Sequence, residues 1–237
     1  MSIVRKSSLS RGLMLAACAV LPMLSAACAR ADESPRALPA PVLDNPRTGT
    51  TETAVLSGGC FWGMQGVFEH VKGVRQVLAG YSGGQKNTAE YEQVSTGDTG
   101  HAESVEITFD PKQVSYGQIL RVYFSVASDP TELNRQGPDS GTQYRSDIFA
   151  ANDAQKRIAD AYIAQLGKAH VLGSPIVTRV DRLTAFYPAE AYHQDYLIHN
   201  PDSLYIVIND QPKISNLKRI YPDLYSDKPV MVASLHS

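Results

Sequence analysis

A buried strand that runs into a helix through two glycines and a cysteine is encoded by residues 53–71, TAVLSGGCFWGMQGVFEHV. The first five residues of this stretch form a short apolar run that predicts a strand, and Gly58 and Gly59 end it. After the cysteine, apolar residues return at a helical spacing. Cys60 is therefore predicted to lie at the N-terminus of a helix, directly after a strand and a tight turn.

The rest of the chain alternates between strand and helix patterns in no regular order. Further strands are predicted at residues 74–79, 103–109 and 176–180. Helices are predicted at residues 89–95, 116–126, 152–166, 189–197 and 214–220. Asn152 is a candidate cap for the third of these helices. Residues 129–143 are polar and rich in glycine and proline, which predicts a long loop of the kind that often carries function. Because no regular β-α-β repeat occurs, the pattern favours an α+β fold over a doubly wound sheet.

The N-terminal segment has the pattern of an export signal. An apolar, small-residue run at residues 13–27 follows three basic residues, Arg5, Lys6 and Arg11. This run is short for a membrane-spanning helix, which needs about 20 apolar residues. Ala29-Arg30-Ala31 then supplies a small-x-small cleavage site. We therefore predict a cleaved signal peptide over residues 1–31 and a periplasmic or secreted protein.

Two cysteines in this segment leave other interpretations open. Residues 25–28, Ser-Ala-Ala-Cys, resemble a lipoprotein cleavage box, and Cys28 would then carry a lipid anchor. A similar box ends at Cys18, but almost no apolar run precedes it. An uncleaved N-terminus is the third alternative. If cleavage follows Ala31, both cysteines leave with the signal, and Cys60 is the one thiol of the mature chain.

The remaining chain divides into three predicted segments. Residues 32–50 contain four prolines and little periodicity, which predicts a linker or an extended arm that lies on the domain surface. Residues 51–226 are predicted to form one domain, and residues 227–237 a C-terminal tail.

The composition excludes several classes of protein. Apolar residues at 43% and charged residues at 19% exclude a disordered tail and a fibre. The formal net charge is −2, and the chain after residue 31 carries 18 basic and 24 acidic residues, which argues against nucleic-acid binding. Three cysteines are too few for a disulfide framework.

Cys60 admits two interpretations on the residues alone. A free cysteine is commonly a small buried hydrophobic residue without reactivity. Gly58, Gly59 and Gly63, however, allow a sharp turn that exposes the side chain. A helix N-terminus also favours the thiolate. A structural cysteine and a reactive thiol both remain open at this point.

A second polar group lies in residues 99–103, Thr-Gly-His-Ala-Glu. His101 and Glu103 are two residues apart and would share one face of a strand. Two ligands do not make a metal site, so no metal is predicted. A buried Glu103 would have a raised pKa and act as a proton donor, whereas an exposed one would only be solvated. Phe61 and Trp62 are either core residues or a cage for a small methyl group.

Four stretches, in order, resemble the signatures of the type A peptide methionine sulfoxide reductases. They are GCFWG at 59–63, GDTGHAE at 97–103, GTQYRS at 141–146 and AEAYHQDY at 189–196. The resemblance extends from about residue 53 to residue 225. It implies a two-layer α+β sandwich with a ferredoxin-like core and extensive irregular segments.

The same resemblance implies roles for individual residues. Cys60 matches the nucleophilic cysteine, and Glu103 matches the carboxyl that protonates the sulfoxide oxygen. Tyr91 and Tyr144 match two hydroxyls that hold the sulfoxide oxygen. Phe61 and Trp62 match the cage for the substrate methyl group, and Asp139 matches an acid of the nearby polar network.

The implied reaction is reduction of methionine S-sulfoxide, free or in proteins, through a sulfenic acid on Cys60, without a metal or organic cofactor. Many members carry resolving cysteines in a C-terminal tail, but residues 204–237 contain none. An external thiol, either small or on a thioredoxin-like protein, is therefore expected to regenerate Cys60. The expected partners are this reductant, oxidised proteins and free methionine sulfoxide, with no nucleic acid, and the enzyme is expected to be a monomer.

Two other functions are compatible with an exported single-thiol protein. A peroxidase-like thiol enzyme would turn over hydrogen peroxide in the absence of methionine sulfoxide. A binding or structural protein would leave its thiol inert.

Overall fold

A six-stranded sheet forms the centre of this computed structural model, which describes residues 1–2 and 35–232. The strands are β1 Glu52–Ser57, β2 Val74–Ser82, β3 Ala102–Phe109, β4 Arg135–Gln136, β5 Asp139–Ser140, β6 Asp147–Ala150, β7 Arg179–Arg182 and β8 Phe186–Pro188. The α-helices are α1 Phe61–Glu69, α2 Tyr91–Val94, α3 Tyr116–Val122, α4 Asp153–Ala169, α5 Tyr196–His199 and α6 Gln211–Ile220. Short 3-10 helices lie at Lys86–Thr88, Thr142–Tyr144 and Ala191–His193, and π-helical turns at Tyr123–Ala127 and Ile206–Asp210.

The sheet has the strand order β7-β6-β1-β3-β2-β8. All neighbouring pairs are antiparallel except β6 and β7, which are parallel. The core consists of the four inner strands and two helices, in the chain order β1-α1-β2-β3-α3-β6 when the shorter elements between them are left out. This is the arrangement of a ferredoxin-like core. The predicted α+β fold is confirmed, and β7 and β8 extend the core at its two edges.

Successive side chains of β1 pack into two different apolar clusters, one on each face of the sheet. Ala54 and Leu56 belong to the main apolar core, whereas Val55 joins a small second cluster with Ala102 and Phe149. Successive side chains of a strand point to opposite faces of the sheet, so a run that is apolar throughout is covered on both sides. This burial holds β1 rigid up to the turn that carries Cys60.

Several predicted elements differ from the observed ones at their ends. The helix predicted at 116–126 changes into the π-helical turn after Val122, and the strand predicted at 176–180 occurs instead at β7. The predicted loop at 129–143 contains the two-residue strands β4 and β5, which pair with each other. The cap predicted for α4 is confirmed, because Asn152 accepts the backbone N–H of Gln155 at 2.9 Å.

The single helix predicted at residues 189–197 is wrong. The chain there forms a 3-10 turn and the short helix α5, with Asp195 between them in the left-handed region at φ 52°. The Gln194 amide bonds to both the N–H and the C=O of Ala79 on β2, each at 2.9 Å, and the Asp195 N–H donates to Gln65 on α1 at 2.9 Å. These contacts, more than 100 residues apart in sequence, draw the chain out of a continuous helix.

The described part of the proline-rich arm is anchored more deeply than predicted. Leu38 is fully buried, its N–H donates to the Tyr221 hydroxyl at 3.1 Å, and its C=O accepts from Arg121 at 2.6 Å. The apolar run of the predicted signal and Cys28 lie outside the described residues. Within residues 1–2 and 35–232, no helix is long and apolar enough to cross a membrane.

A buried carboxyl pair joins α1 to the C-terminal segment. Glu69, at the end of α1, is 1% exposed, and its backbone C=O accepts the N–H of Val230 at 3.0 Å. Burial, and then the neighbouring Asp195 carboxyl, raise the pKa of Glu69 to about 9. Asp195 in turn accepts the N–H of Val232 at 3.1 Å. Folding therefore takes up a proton at Glu69 at neutral pH.

Replacing Glu69 with glutamine should stabilise the fold at alkaline pH. The pKa of Glu69 is raised in the folded state, so the stability that it contributes is complete at low pH and is lost as the pH rises towards 9. We expect the free energy of unfolding of Glu69→Gln to exceed that of the wild type by about 1–3 kcal/mol more at pH 8 than at pH 5. Denaturant unfolding at both pH values measures this difference. The exposed Glu92→Gln variant should follow the wild type, and a Glu69→Gln variant that also follows it would contradict the assignment.

Candidate active site

The turn between β1 and α1 fixes the position of Cys60. Gly59 has φ 96°, and a Cβ built there would lie 2.7 Å from the Gln136 side chain, so only glycine fits. Cys60 follows as the N-cap residue of α1 and is 9% exposed. The expected placement of the thiol at a helix N-terminus is confirmed, although the sulfur is more enclosed than a glycine-rich turn suggested.

Glu103 reaches this helix N-terminus from the central strand β3. Its Oε2 accepts the backbone N–H of Phe61 at 3.0 Å, and its side chain is buried. The first N–H groups of a helix have no partner within the helix, so the carboxyl satisfies one of them. The Glu103 carboxyl is thereby bonded to the residue that follows Cys60, although 43 positions separate Glu103 from Cys60 in sequence.

The protonation states differ from the simple expectation for a helix N-terminus. Burial raises the pKa of Glu103 to about 8, with Asp139 and Asp210 adding to the shift and the Phe61 N–H opposing it. Burial also raises the pKa of the Cys60 thiol, followed by the charges of Glu103 and Asp210. Burial and the nearby carboxyls thus oppose the stabilisation of the thiolate that a helix N-terminus favours. Both groups carry protons at neutral pH.

Tyr91 and Tyr144 lie within electrostatic range of this pair. Tyr91 begins α2, and Tyr144 ends a 3-10 turn that follows β5. Burial and then the charge of Glu103 raise the pKa of both hydroxyls, and Cys60 contributes in the same direction. Both phenols are therefore hydrogen-bond donors over the whole physiological pH range.

The start of α1 is surrounded by five rings, here named the aromatic wall: Phe61, Trp62, His193, Tyr196 and Tyr205. The Trp62 ring stacks on Tyr196 with centroids 3.8 Å apart, and Tyr205 meets it edge-on at 5.9 Å. The indole N–H donates to His193 Nδ1 at 3.1 Å, which fixes the ring of Trp62. Phe61 is almost fully buried, and the centroid of its ring lies 5.0 Å from that of the His193 ring. Trp62 is partly buried and keeps some surface accessible.

Two more acids complete the surroundings of the sulfur. Asp139 accepts a hydrogen bond from the Tyr205 hydroxyl. Asp210 is fully buried, pairs with Lys213 at 3.3 Å, and faces α1 where Gly63 has no side chain. A Cβ at Gly63 would lie 2.0 Å from the Asp210 carboxylate, so this glycine allows the approach.

The structure thus brings together the sequence-predicted Cys60, Glu103, Asp139, Tyr91, Tyr144, Phe61 and Trp62 around the first turn of α1. Sequence reasoning missed Tyr205 and Asp210, which arrive from the C-terminal third of the chain without a local signal. His193 and Tyr196 lie in the quoted motif at 189–196, but no role was attached to them. Among the described residues, no group of three or more potential metal ligands occurs.

A buried thiol beside a protonated carboxyl, two phenols and an aromatic wall defines the site of a thiol-based oxidoreductase. Comparison with known proteins identifies the family. The family model for peptide methionine sulfoxide reductase matches residues 52–224. Peptide methionine sulfoxide reductase MsrA 2 of Mesorhizobium japonicum is 62% identical over 81% of this chain and 98% of its own length. The protein of the same name from Synechocystis is 50% identical over 79% of this chain and 90% of its own length.

Solved structures agree with this assignment. Mxr1 from Saccharomyces cerevisiae in reduced form has a TM-score of 0.58 and 31% identity, covering 68% of this chain and 91% of Mxr1. Methionine sulfoxide reductase A of Corynebacterium diphtheriae has a TM-score of 0.56 and 35% identity, covering 71% and 84% of the two chains. This chain belongs to the peptide methionine sulfoxide reductase family, and it is an enzyme that reduces methionine S-sulfoxide to methionine with electrons from thiols.

The raised pKa of Cys60 can be measured by alkylation in the free enzyme. We expect iodoacetamide to modify Cys60 at pH 7.5 at least about tenfold more slowly than an unburied thiol, because little thiolate is present. Above pH 8, Glu103→Gln should react several-fold faster than the wild type, because the carboxylate charge that raises the thiol pKa is gone. Equal rates for the two proteins at pH 9 would contradict the coupling between Glu103 and Cys60.

Proposed function

We propose that Cys60 is the nucleophile and Glu103 the acid in reduction of methionine S-sulfoxide, free or within oxidised proteins. The observation that carries the proposal is the 3.0 Å hydrogen bond from the Phe61 N–H to Glu103. This bond fixes a carboxyl on the residue that follows the Cys60 thiol in the chain. Its pKa of about 8 keeps this carboxyl protonated at neutral pH. A general acid with a pKa near the working pH combines the correct protonation state with an effective proton transfer.

The protons balance within the site. Glu103 gives its proton to the sulfoxide oxygen, which makes the sulfur electrophilic. The Cys60 sulfur attacks that sulfur, and the thiol proton passes to the Glu103 carboxylate just formed. The oxygen then moves to Cys60, and the bonds from the methionine sulfur to this oxygen and to Cys60 both break. Methionine leaves as a thioether, and Cys60 becomes a sulfenic acid. Neither a metal nor an organic cofactor takes part in this sequence.

The other predicted side chains hold the substrate. Tyr91 and Tyr144 donate hydrogen bonds to the sulfoxide oxygen, and their raised pKa values support this role. Phe61 and Trp62 form the apolar cage for the methyl group, at the aromatic wall described above. Asp139, bonded to the Tyr205 hydroxyl, orients the polar network beside the sulfur.

Regeneration requires a thiol from another molecule. Cys60 is the one cysteine within residues 35–232, and no disulfide joins it to another described residue. A thioredoxin-like protein, or a small thiol, attacks the sulfenic acid and returns Cys60 to the thiol. We propose that the enzyme acts as a monomer and that its role is protein repair.

We also propose that the enzyme works outside the cytoplasm. The basic segment, the short apolar run and Ala29-Arg30-Ala31 support a cleaved signal peptide and a periplasmic or secreted address. Lipidation at Cys28 is the alternative, which would place the same domain on a membrane surface. The proposed domain limits remain residues 51–226, with the arm before and the tail after.

Substitution of the two central residues tests the chemistry. Cys60→Ser should abolish methionine formation, because a hydroxyl supplies no thiolate. Glu103→Gln should lower the rate by about 10²-fold through loss of the proton donor. The wild-type single-turnover rate should fall as the pH rises through 8, since Glu103 is protonated below its pKa and not above it.

Glu106→Gln, the same change three residues further along β3, is the matched control and should keep both the rate and its pH dependence. Full activity in Cys60→Ser, or an alkaline decline that survives in Glu103→Gln, would rule out these assignments. The rate is measured as methionine released without reductant.

The oxidised enzyme should carry one oxygen more than the reduced form. After reaction with methionine S-sulfoxide and no reductant, we expect about one methionine per Cys60, a product trapped by dimedone, and no internal disulfide. Mass spectrometry of the intact protein distinguishes the two products. A mass lower by two hydrogens would instead mean that Cys18 or Cys28 survives processing and forms a disulfide with Cys60.

Processing is tested on protein purified from the exporting cell. We expect the N-terminus at Asp32 and the enzyme in the periplasmic or extracellular fraction. A lipid-modified Cys28 at the N-terminus would change the address to membrane-anchored, and an intact Met1 would make the protein cytosolic.

A further inference from the structure

A second approach to Cys60 exists on the side of α6. A cleft of about 310 Å³, here named the rear cleft, has Cys60 in its wall. The segment at 126–129, the loop around Gln136 and the turn and helix at 205–216 enclose it. Asp139 and Tyr205 also line the rear cleft, and Tyr205 contacts Trp62 edge-on. A group that fits into the rear cleft can therefore contact Cys60 from this side.

The rear cleft shares Cys60 and Asp139 with the proposed sulfoxide site, but not the other residues proposed to contact the sulfoxide. None of Glu103, Tyr91, Tyr144, Phe61 and Trp62 lies in its wall. A sulfoxide oxygen there would have no contact with the proposed acid or with the two phenols. The group that enters the rear cleft is therefore not the sulfoxide.

The reaction needs a second substrate that must touch the same sulfur. A disulfide bond is about 2.05 Å long, so the reducing thiol has to reach Cys60 directly. With Cys60 only 9% exposed, the flat surface of a globular protein cannot make this contact. A loop that projects a cysteine side chain can do so through an opening of the size of the rear cleft.

The lip of the rear cleft is apolar and exposed. Ile208 lines the cleft and is 60% exposed, and Leu204 and Val207, on the same segment, are 73% and 44% exposed. Clustered exposed apolar side chains of this kind mark contact sites for other proteins. An apolar lip favours a protein over a small polar thiol.

We propose that the rear cleft is the docking site for the protein dithiol that regenerates Cys60, an inference that rests on the proposed function. The dithiol's first sulfur attacks the Cys60 sulfenic acid, the S–O bond breaks, and the oxygen leaves as water with the proton of the attacking thiol. The dithiol's second sulfur then displaces Cys60 as a thiol. The partner leaves oxidised to a disulfide, and Cys60 is reduced by two electrons.

Ile208→Glu tests the docking site, with Val42→Glu as the matched control. Val42 is an exposed apolar residue of the arm that does not line the rear cleft. Three rates are measured for each protein: methionine released without reductant, recycling by dithiothreitol, and recycling by a purified thioredoxin with free methionine S-sulfoxide as substrate. For Ile208→Glu we expect the KM for thioredoxin to rise by about tenfold or more, because a charge replaces an apolar contact. The first two rates should change less than about twofold, and Val42→Glu should match the wild type in all three.

The outcomes separate this inference from the proposed function. If the wild type releases no methionine without reductant, the proposed function fails, whatever the variants do. An unchanged KM for thioredoxin in Ile208→Glu would overturn the docking site alone. Equal loss with dithiothreitol and thioredoxin would place the effect on Cys60 itself and also overturn it. A fourth rate, single-turnover reduction of a sulfoxide-containing protein, is measured for the same variants. If Ile208→Glu loses only this rate, the rear cleft takes the oxidised protein instead, and the docking site for the dithiol is overturned.

Discussion

The rest of the site depends on one hydrogen bond, from the Phe61 N–H at the start of α1 to the Glu103 carboxyl on β3. It joins the two elements that supply the nucleophile and the acid, and it uses a helix donor that no residue within the helix can satisfy. The buried strand β1 and the two glycines after it determine where α1 begins. Since β1 and β3 are neighbours in the sheet, strand register and the short glycine turn after β1 together determine the position of Glu103 relative to Cys60.

Burial of several acids around one thiol determines the chemistry that the resting site supports. Burial is the largest cause of the raised pKa of Cys60, and the carboxyls of Glu103, Asp210 and Asp139 raise it further. The free enzyme therefore keeps its sulfur as a thiol, which reacts slowly with general electrophiles. A substrate that accepts the Glu103 proton removes that proton from the pair and leaves a base beside the thiol. Activation of the sulfur is thus coupled to the arrival of an oxygen that can be protonated.

The sequence was sufficient for the central strand-turn-helix unit and for most of the residues around it. The apolar run, the glycine pair and the helical spacing after Cys60 are local signals, and they predicted the position of the thiol. The alternation at residues 103–109 likewise predicted β3. The helix at 189–197 could not be corrected from the sequence, because contacts of Gln194 and Asp195 with distant strands and helices break it.

One acid and one phenol from the C-terminal third could not be predicted from local sequence for the same reason. Asp210 and Tyr205 reach Cys60 only because a π-helical turn packs beside α1. The raised pKa of the Cys60 thiol likewise has no local signal, because its largest cause is burial in the folded chain.

The most direct test of this account is the ionisation of Glu103 in the free enzyme. Isotope-edited infrared or carbon NMR spectra of labelled glutamate, assigned by comparison with Glu103→Gln, follow the carboxyl through a titration from pH 5 to pH 10. The account predicts a protonated Glu103 at pH 7 that ionises near pH 8. A Glu103 that is already a carboxylate at pH 6 would contradict it, because the site would then hold no proton to give to the sulfoxide oxygen.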